Sequence, residues 1–174
     1  MTLDDLFKDK TIKPKEKTET VSQWILEGEL PVHELIAFAE KSKDPVKATC
    51  IEALEYATLK KPDVADDAVF NFVTGTLAGK APRVKWESAK VIGNTVHLFQ
   101  GQLDEVITKL LANTGHEGTV VRWSAAFALG EILKLETKQN ARLIPEIEKV
   151  MEKEEKNSIL KIYAAALKKL KNKK

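Results

Sequence analysis

Several sequence features are scarce or missing, and each absence excludes a class of protein. Its 174 residues include a single cysteine, Cys50, so no disulfide can form within the chain. No apolar run approaches the roughly 18 residues that a membrane-spanning helix needs. The opening residues, MTLDDLFKDK, contain acids and lysines where a secretory signal would be apolar. We therefore expect a cytoplasmic protein that neither crosses nor binds a membrane.

Excess charge of one sign is also small. The net charge is +2, which does not by itself predict nucleic-acid binding. Hydrophobic residues make up 43% and charged residues 31%, as in folded domains and unlike disordered chains. Residues 161–174 contain six lysines and no acid, which is most simply a solvated helix end. The length suits one compact domain or one short array of repeats.

The chain contains an internal repeat with a period near 38 residues. Four segments align without gaps: VKATCIEALE, VKWESAKVIG, VRWSAAFALG and ILKIYAAALK. They begin at Val46, Val84, Val121 and Ile159, which are 38, 37 and 38 residues apart. In each segment the first, sixth and ninth residues are apolar and lie on one helical face. Another helical pattern precedes each segment, so the repeat unit is predicted to be a helical hairpin.

The predicted organisation is all-α, with no strand-rich part. We expect a single repeat domain over residues 15–174, with repeats at about 31–60, 62–99, 101–136 and 138–170, and a capping helix within residues 15–30 that ends near Gly28. Residues 1–14 carry no repeat signal and are a candidate disordered segment. Asp44, Thr119 and Asn157 precede the second helices and are predicted to cap them.

The paired helices, and the segments DPVKATCIEAL, VVRWSAAFALGEI and LIPEIEKV, resemble HEAT repeats, which are armadillo-type α-solenoids. The resemblance extends over about residues 31–170. It implies an α-α superhelix of about four helical hairpins in which the second helices line the concave face. It also implies that the second-helix side chains facing away from the core lie in a groove.

Positions are numbered from the first residue of each aligned segment, taken as 0. An α-helix advances about 100° per residue, so positions +2, +6, +9 and +13 lie together, opposite the buried stripe. In the second and third repeats we predict that this face binds a partner, through Trp86, Lys90, Gly93, His97, Trp123, Phe127, Gly130 and Lys134. The alternative is that the tryptophans only pack between repeats.

The same positions give the groove two different ends. The first repeat supplies Glu52 and Glu55, and the fourth supplies Lys161 and Lys168. We interpret the chain as a non-enzymatic module that binds a protein or peptide through aromatic residues, without a cofactor. The alternative is nucleic-acid binding, with lysines contacting phosphates and aromatic rings stacking on bases. The pattern leaves the oligomeric state open.

Two classes of enzyme share the HEAT-like fold. DNA alkylation repair glycosylases place tryptophans and a catalytic aspartate on the concave face, but here the residues four after each tryptophan are Gly28, Lys90 and Phe127. Glu87 and Glu131 lie nearby in sequence and are predicted to point away from that face. Iron-binding hydroxylases of this fold use His-Glu pairs, which here lie outside the second helices. No catalytic residue and no metal site is therefore predicted.

Two further features have structural interpretations. Lys47, Lys85 and Arg122, at position +1, are predicted to connect repeats through contacts with the turns. Cys50 lies in a column of small residues and is predicted to be buried in the core.

Overall fold

The computed structural model describes residues 1–172. Over those residues the chain is helical and contains no strand. The α-helices are α1 (Leu3–Lys8), α2 (Pro14–Leu26), α3 (Val32–Glu40), α4 (Asp44–Lys60), α5 (Asp67–Thr76), α6 (Pro82–Thr95), α7 (Leu103–Asn113), α8 (Thr119–Lys134), α9 (Asn140–Lys153) and α10 (Asn157–Asn172). None of these helices is long and apolar enough to cross a membrane.

The helices form two rows. The second helices of the hairpins pack side by side in chain order, from α2 through α4, α6 and α8 to α10. The first helices pack against their own second helices and, from α3 through α5 to α7, against one another. This arrangement is an α-solenoid of helical hairpins, and it confirms the fold predicted from the repeat.

The predicted buried stripe of the second helices forms the core in the first three repeats. At position +8, Leu54, Ile92 and Leu129 are each 0% exposed. The fourth repeat differs, because Ala164 is exposed and Leu167 is only half-buried. In the described part of the chain α10 is the last helix of its row, so no following hairpin covers that side of it.

Small side chains in this stripe allow the second helices to approach closely, as at Ala89 and Ala126. Cys50 is fully buried, which confirms its predicted place in the core. Burial raises the pKa of its thiol to about 12. The thiol is therefore protonated and shielded in the folded protein.

The N-terminal end of the array is covered by residues that carry no repeat signal. Residues 1–14, the candidate disordered segment, contain helix α1. Leu6 is 1% exposed, and the rings of Phe7 and Phe38 lie 5.4 Å apart. The packing of Leu6 and Phe7 holds α1 against the first repeat. The predicted capping helix is α2, which ends at Leu26, close to the expected end near Gly28.

The prediction that Asp44, Thr119 and Asn157 cap the second helices is wrong, because each helix begins at that residue and not after it. Asp44 and Thr119 lie inside α4 and α8 as their first residues, and Asn157 is the first residue of α10. The cap positions of α4 and α8 are Lys43 and Gly118, and neither makes a side-chain capping bond. Asp44 therefore acts in the first turn, where its negative charge suits the positive end of the helix dipole. The repeat limits given above remain a prediction, and residues 173–174 of the expected domain lie outside the described residues.

In the basic column at position +1, Lys85 and Arg122 connect neighbouring turns, as predicted for them. Lys85 Nζ donates to the carbonyl of Leu77 at 3.1 Å and to Asn113 Oδ1 at 3.0 Å. Arg122 Nε donates to Glu154 Oε2 at 3.0 Å, which joins α8 to the turn before α10. Burial alone would raise the pKa of Glu154, but hydrogen bonds from the Lys156 backbone and from Arg122 outweigh it, and the pKa is lowered.

Candidate functional site

The eight predicted binding residues lie on α6, α8 and the turn after α6. We call the surface that they define, together with the matching positions of α4, the second-helix face. Seven of the eight are helical, and His97 lies beyond the end of α6 in the short 3-10 turn Val96–Leu98. His97 is exposed there and no longer follows the register of α6.

The centre of the second-helix face is an aromatic pair on α8. The rings of Trp123 and Phe127 are nearly parallel, with 6.0 Å between their centroids and an interplanar angle of 13°. Trp123 is 37% exposed, and Phe127 is half-buried. An indole with this much exposed surface, held by a neighbouring ring, can contact a partner without first being ordered.

Phe127 is held from below by the preceding repeat. Its ring lies directly over Gly93 of α6, where a Cβ atom would come within 3.0 Å of three ring atoms. Gly130 occupies the same register in α8 and is looser, because a Cβ there would meet Ile162 and Ala166 at 3.6 and 3.7 Å. Packing therefore requires a glycine at position 93, whereas position 130 has room for a methyl group.

Trp86 is oriented by a carboxylate. Its indole Nε1 donates to Glu87 Oε1 at 2.8 Å, and the side chain is half-buried. Within residues 1–172, no ring contact joins Trp86 to Trp123. The two tryptophans therefore do not pack on each other, and each has its own support.

Glu87 is the functional-site neighbour that sequence reasoning did not identify. It is 2% exposed, and among the described residues its Oε2 has no hydrogen-bond partner. Burial raises its pKa to about 7, an effect that Lys90 opposes and that Glu52 reinforces. Position +3 holds Thr49, Glu87 and Ser124, and that polar column in a buried register was the available signal.

The two lysines of the site have different surroundings. Lys134, the last residue of α8, forms an ion pair with Glu131 at 2.9 Å. Lys90 is half-buried and makes no ion pair within 4.0 Å in the described part of the chain. Burial raises the pKa of Glu55 and of Glu87. The charge of Lys90 opposes that rise but is the smaller effect.

The first repeat forms the predicted acidic end of the face. Glu52 accepts a hydrogen bond from Thr18 Oγ1 at 2.8 Å and lies 3.7 Å from Arg83 Nη2. Glu55 is half-buried, and burial raises its pKa. Among residues 1–172, no group of three histidines, cysteines or acids is arranged to hold a metal ion.

Comparison with known proteins identifies the fold and goes no further. No protein-family model and no curated protein matches the chain. A designed armadillo repeat protein superposes with a TM-score of 0.72 at 13% identity, covering 90% of this chain and 75% of that one. A second designed armadillo repeat protein, solved in complex with the peptide (KR)4, superposes with a TM-score of 0.68 at 16% identity, covering 87% and 68%. The chain thus has a HEAT/armadillo-like α-solenoid fold.

Proposed function

We propose that this protein is a non-enzymatic interaction module that binds a peptide or protein segment along the second-helix face. The observation that carries the proposal is the exposed Trp123 indole stacked on Phe127. Large aromatic side chains in partly desolvated positions dominate the energy of many interfaces. We infer that this face is the concave side of the solenoid, as in the HEAT proteins that the sequence resembles.

The supports beneath the aromatic side chains favour binding. Gly93 fixes Phe127 from below, and the Glu87 carboxylate fixes the indole of Trp86. Side chains that are already ordered lose less conformational entropy when a ligand binds. The face therefore has the rigid apolar centre, flanked by charged residues, that is typical of a recognition surface.

A structural neighbour suggests what kind of ligand this face binds. One of the designed armadillo repeat proteins with this fold was solved with a peptide bound. We extend to this chain only the use of such a solenoid as a surface for an extended peptide. Lys90, Lys134 and His97 would then make polar contacts at the edges of the aromatic centre. The lone buried thiol is compatible with the reducing cytoplasm expected from the sequence.

The proposal is tested by selecting ligands from a library of random linear peptides and measuring their affinities by fluorescence polarisation. We expect Trp123→Ala to weaken the selected peptides by about tenfold or more, since the indole would be a central contact. Val150→Ala is the control, because Val150 is a partly exposed apolar residue on α9, a first helix that does not belong to the second-helix face. Thermal melting of both variants checks that the fold is retained.

Two results would contradict the proposal. One is equal affinity of wild type and a folded Trp123→Ala variant for every selected peptide. The other is selection of single-stranded oligonucleotides in preference to peptides, with affinity that falls steeply as salt rises and with loss of Lys90. The second result would favour the nucleic-acid alternative.

A further inference from the structure

The last described second helix, α10, carries an apolar stripe on its outer side. Within residues 1–172, α10 packs mainly on α8 and α9. Leu160, Ala164 and Leu167 are four and three residues apart, so they share one side of the helix. Ala164 is exposed, and the two leucines are half-buried. An apolar stripe therefore remains partly in contact with solvent.

Helix α9 extends this stripe. Ile144 and Met151 are seven residues apart, which places them on one side of α9, and both are half-buried. The other side of α9, with Lys149 and Lys153, lines a cavity beside the turn after α7. We call the surface formed by Ile144, Met151, Leu160, Ala164 and Leu167 the end face.

The inner repeats show how the same register is used when another hairpin follows. At position +1, Lys85 bonds to Asn113 and Arg122 bonds to Glu154, each in the next hairpin. The fourth repeat has Leu160 at this position. A leucine can make no such bond to a following turn, and it suits an apolar neighbour instead.

The opposite end of the described array is polar. The side of α2 that faces away from its buried residues is formed by Glu16, Thr20, Gln23 and Glu27, and three of these four are exposed. Terminal units of solenoids need such a polar outer side to remain soluble. Of the two ends, the one on a second copy that offers matching apolar surface is therefore the same end face.

Charges of both signs border the end face. Lys161, Lys168 and Lys171 are exposed on α10, and Glu148 and Glu152 are exposed on α9. A two-fold arrangement that sets α10 of one copy against α9 of the other brings lysines to glutamates twice. Packing α10 against α10 would instead bring lysines together.

The end face has the size of a weak interface. Two neighbouring helices, each about 22 Å long and about 10 Å wide, present roughly 450 Å² to a partner. Specific interfaces bury about 600–1,000 Å² on each side, so this surface lies at or below the low end of that range. Association through it is expected only at high protein concentration.

We propose that two copies of this chain associate through their end faces, with α10 of each copy opposite α9 of the other. Ala164, the small residue between the two leucines, lets the facing helices approach closely. The inference is independent of the proposed function, because none of the five end-face residues belongs to the second-helix face.

The test is sedimentation velocity of the full chain at concentrations up to about 500 μM, since interfaces of this size are weak. Ala164→Glu puts a charge at the centre of the end face, and we expect it to weaken dimerisation about tenfold or more. Ala165→Glu is the matched control, because Ala165 is also exposed and points about 100° away around the same helix. It should stay within about twofold of wild type.

A charge exchange tests the arrangement of the helices. Lys161→Glu/Lys168→Glu should weaken dimerisation about fivefold, because it sets acids against the glutamates of α9. Adding Glu148→Lys/Glu152→Lys to the same chain should restore the wild-type affinity. Wild-type dimerisation should also weaken as salt rises. Circular dichroism confirms that each variant is folded.

Four results would overturn this inference. They are a monomer at every concentration, and equal weakening by Ala164→Glu and Ala165→Glu. Assemblies that grow beyond the dimer would show head-to-tail packing of the two unlike ends. Tighter association of Lys161→Glu/Lys168→Glu than of wild type would show α10 packed on α10.

Discussion

Phe127 of α8 lies directly on Gly93 of α6, so that one repeat supplies an aromatic side chain of the second-helix face and the preceding repeat supplies the space for it. A Cβ atom at position 93 would come within 3.0 Å of three ring atoms of Phe127. Position 93 therefore requires glycine although it lies inside a helix, where glycine costs about 1 kcal/mol relative to alanine. Packing between the repeats outweighs that local cost.

Gly93→Ala should lower the free energy of unfolding by about 1–3 kcal/mol, since the new methyl group forces Phe127 out of its position. Gly130→Ala, at the same register of α8, should instead raise it by about 0.5–1 kcal/mol, because the methyl group has room and alanine favours the helix. Urea unfolding followed by circular dichroism measures both. Equal effects of the two substitutions would refute the Phe127–Gly93 contact, and Phe127→Leu should partly restore the stability of Gly93→Ala.

The buried Glu87 should make stability depend on pH near neutrality. Its pKa is about 7 in the folded protein against an ordinary value of 4.5, so the folded state holds the proton more tightly than the unfolded state. As pH rises from about 4.5 to about 7, the unfolded carboxyl ionises first, and the free energy of unfolding falls. Above about pH 7 the loss is complete and constant.

Glu87→Gln should remove that fall, because an amide does not ionise while its oxygen still accepts the hydrogen bond from Trp86. The expected gain in stability above neutral pH is on the order of 2 kcal/mol. Glu148→Gln, on the exposed side of α9, is the control and should follow the wild-type pH profile. A Glu87→Gln profile parallel to wild type would show that Glu87 does not carry the effect.

The Arg122–Glu154 pair should contribute more to stability than the exposed pairs. Glu154 has a side-chain exposure of 3%, and Arg122 also donates to the carbonyls of His116 and Glu117. Glu154→Gln should therefore lower the free energy of unfolding by about 1–3 kcal/mol. Glu146→Gln, which breaks an exposed pair with Lys149, should change it by less than about 0.5 kcal/mol.

The same pair predicts a loss of stability in acid. The pKa of Glu154 is lowered in the folded protein, so the pair stabilises the fold above the carboxyl's ordinary pKa and loses that effect as pH falls through the lowered value. The difference between wild type and Glu154→Gln should therefore shrink in acid. A difference that is constant with pH would contradict an ionised Glu154.

Cys50 gives a direct measure of opening in the first hairpin. Its thiol is 0% exposed and its pKa is raised to about 12, so a thiol reagent can react only after the chain opens around α4. We expect labelling in native buffer to be far slower than in denaturant and to accelerate as urea is added. Rapid labelling of the native protein would show that α4 is not held in the core.

The sequence by itself determined the repeating architecture. A period near 38 residues, apolar positions on one helical side, and glycine or proline between units require paired helices that bury a common stripe. The same register predicted that Trp86, Trp123 and Phe127 share one surface, because helical geometry alone relates residues within one helix. Neighbouring repeats share a register, so the rule extends from one second helix to the next.

Only the tertiary structure decided what lies between helices. Glu87 is 2% exposed although it is a glutamate, and the pattern within α6 alone does not distinguish this burial from exposure. Gly93 and Gly130 share a register, yet one lies under a phenylalanine and the other beside Ile162 and Ala166. The capping helix α2 packs on α4, although the two helices have unrelated sequences. Such contacts depend on side-chain shape between residues that are far apart in the chain, such as Thr18 and Glu52 with a separation of 34, and periodicity carries no information about them.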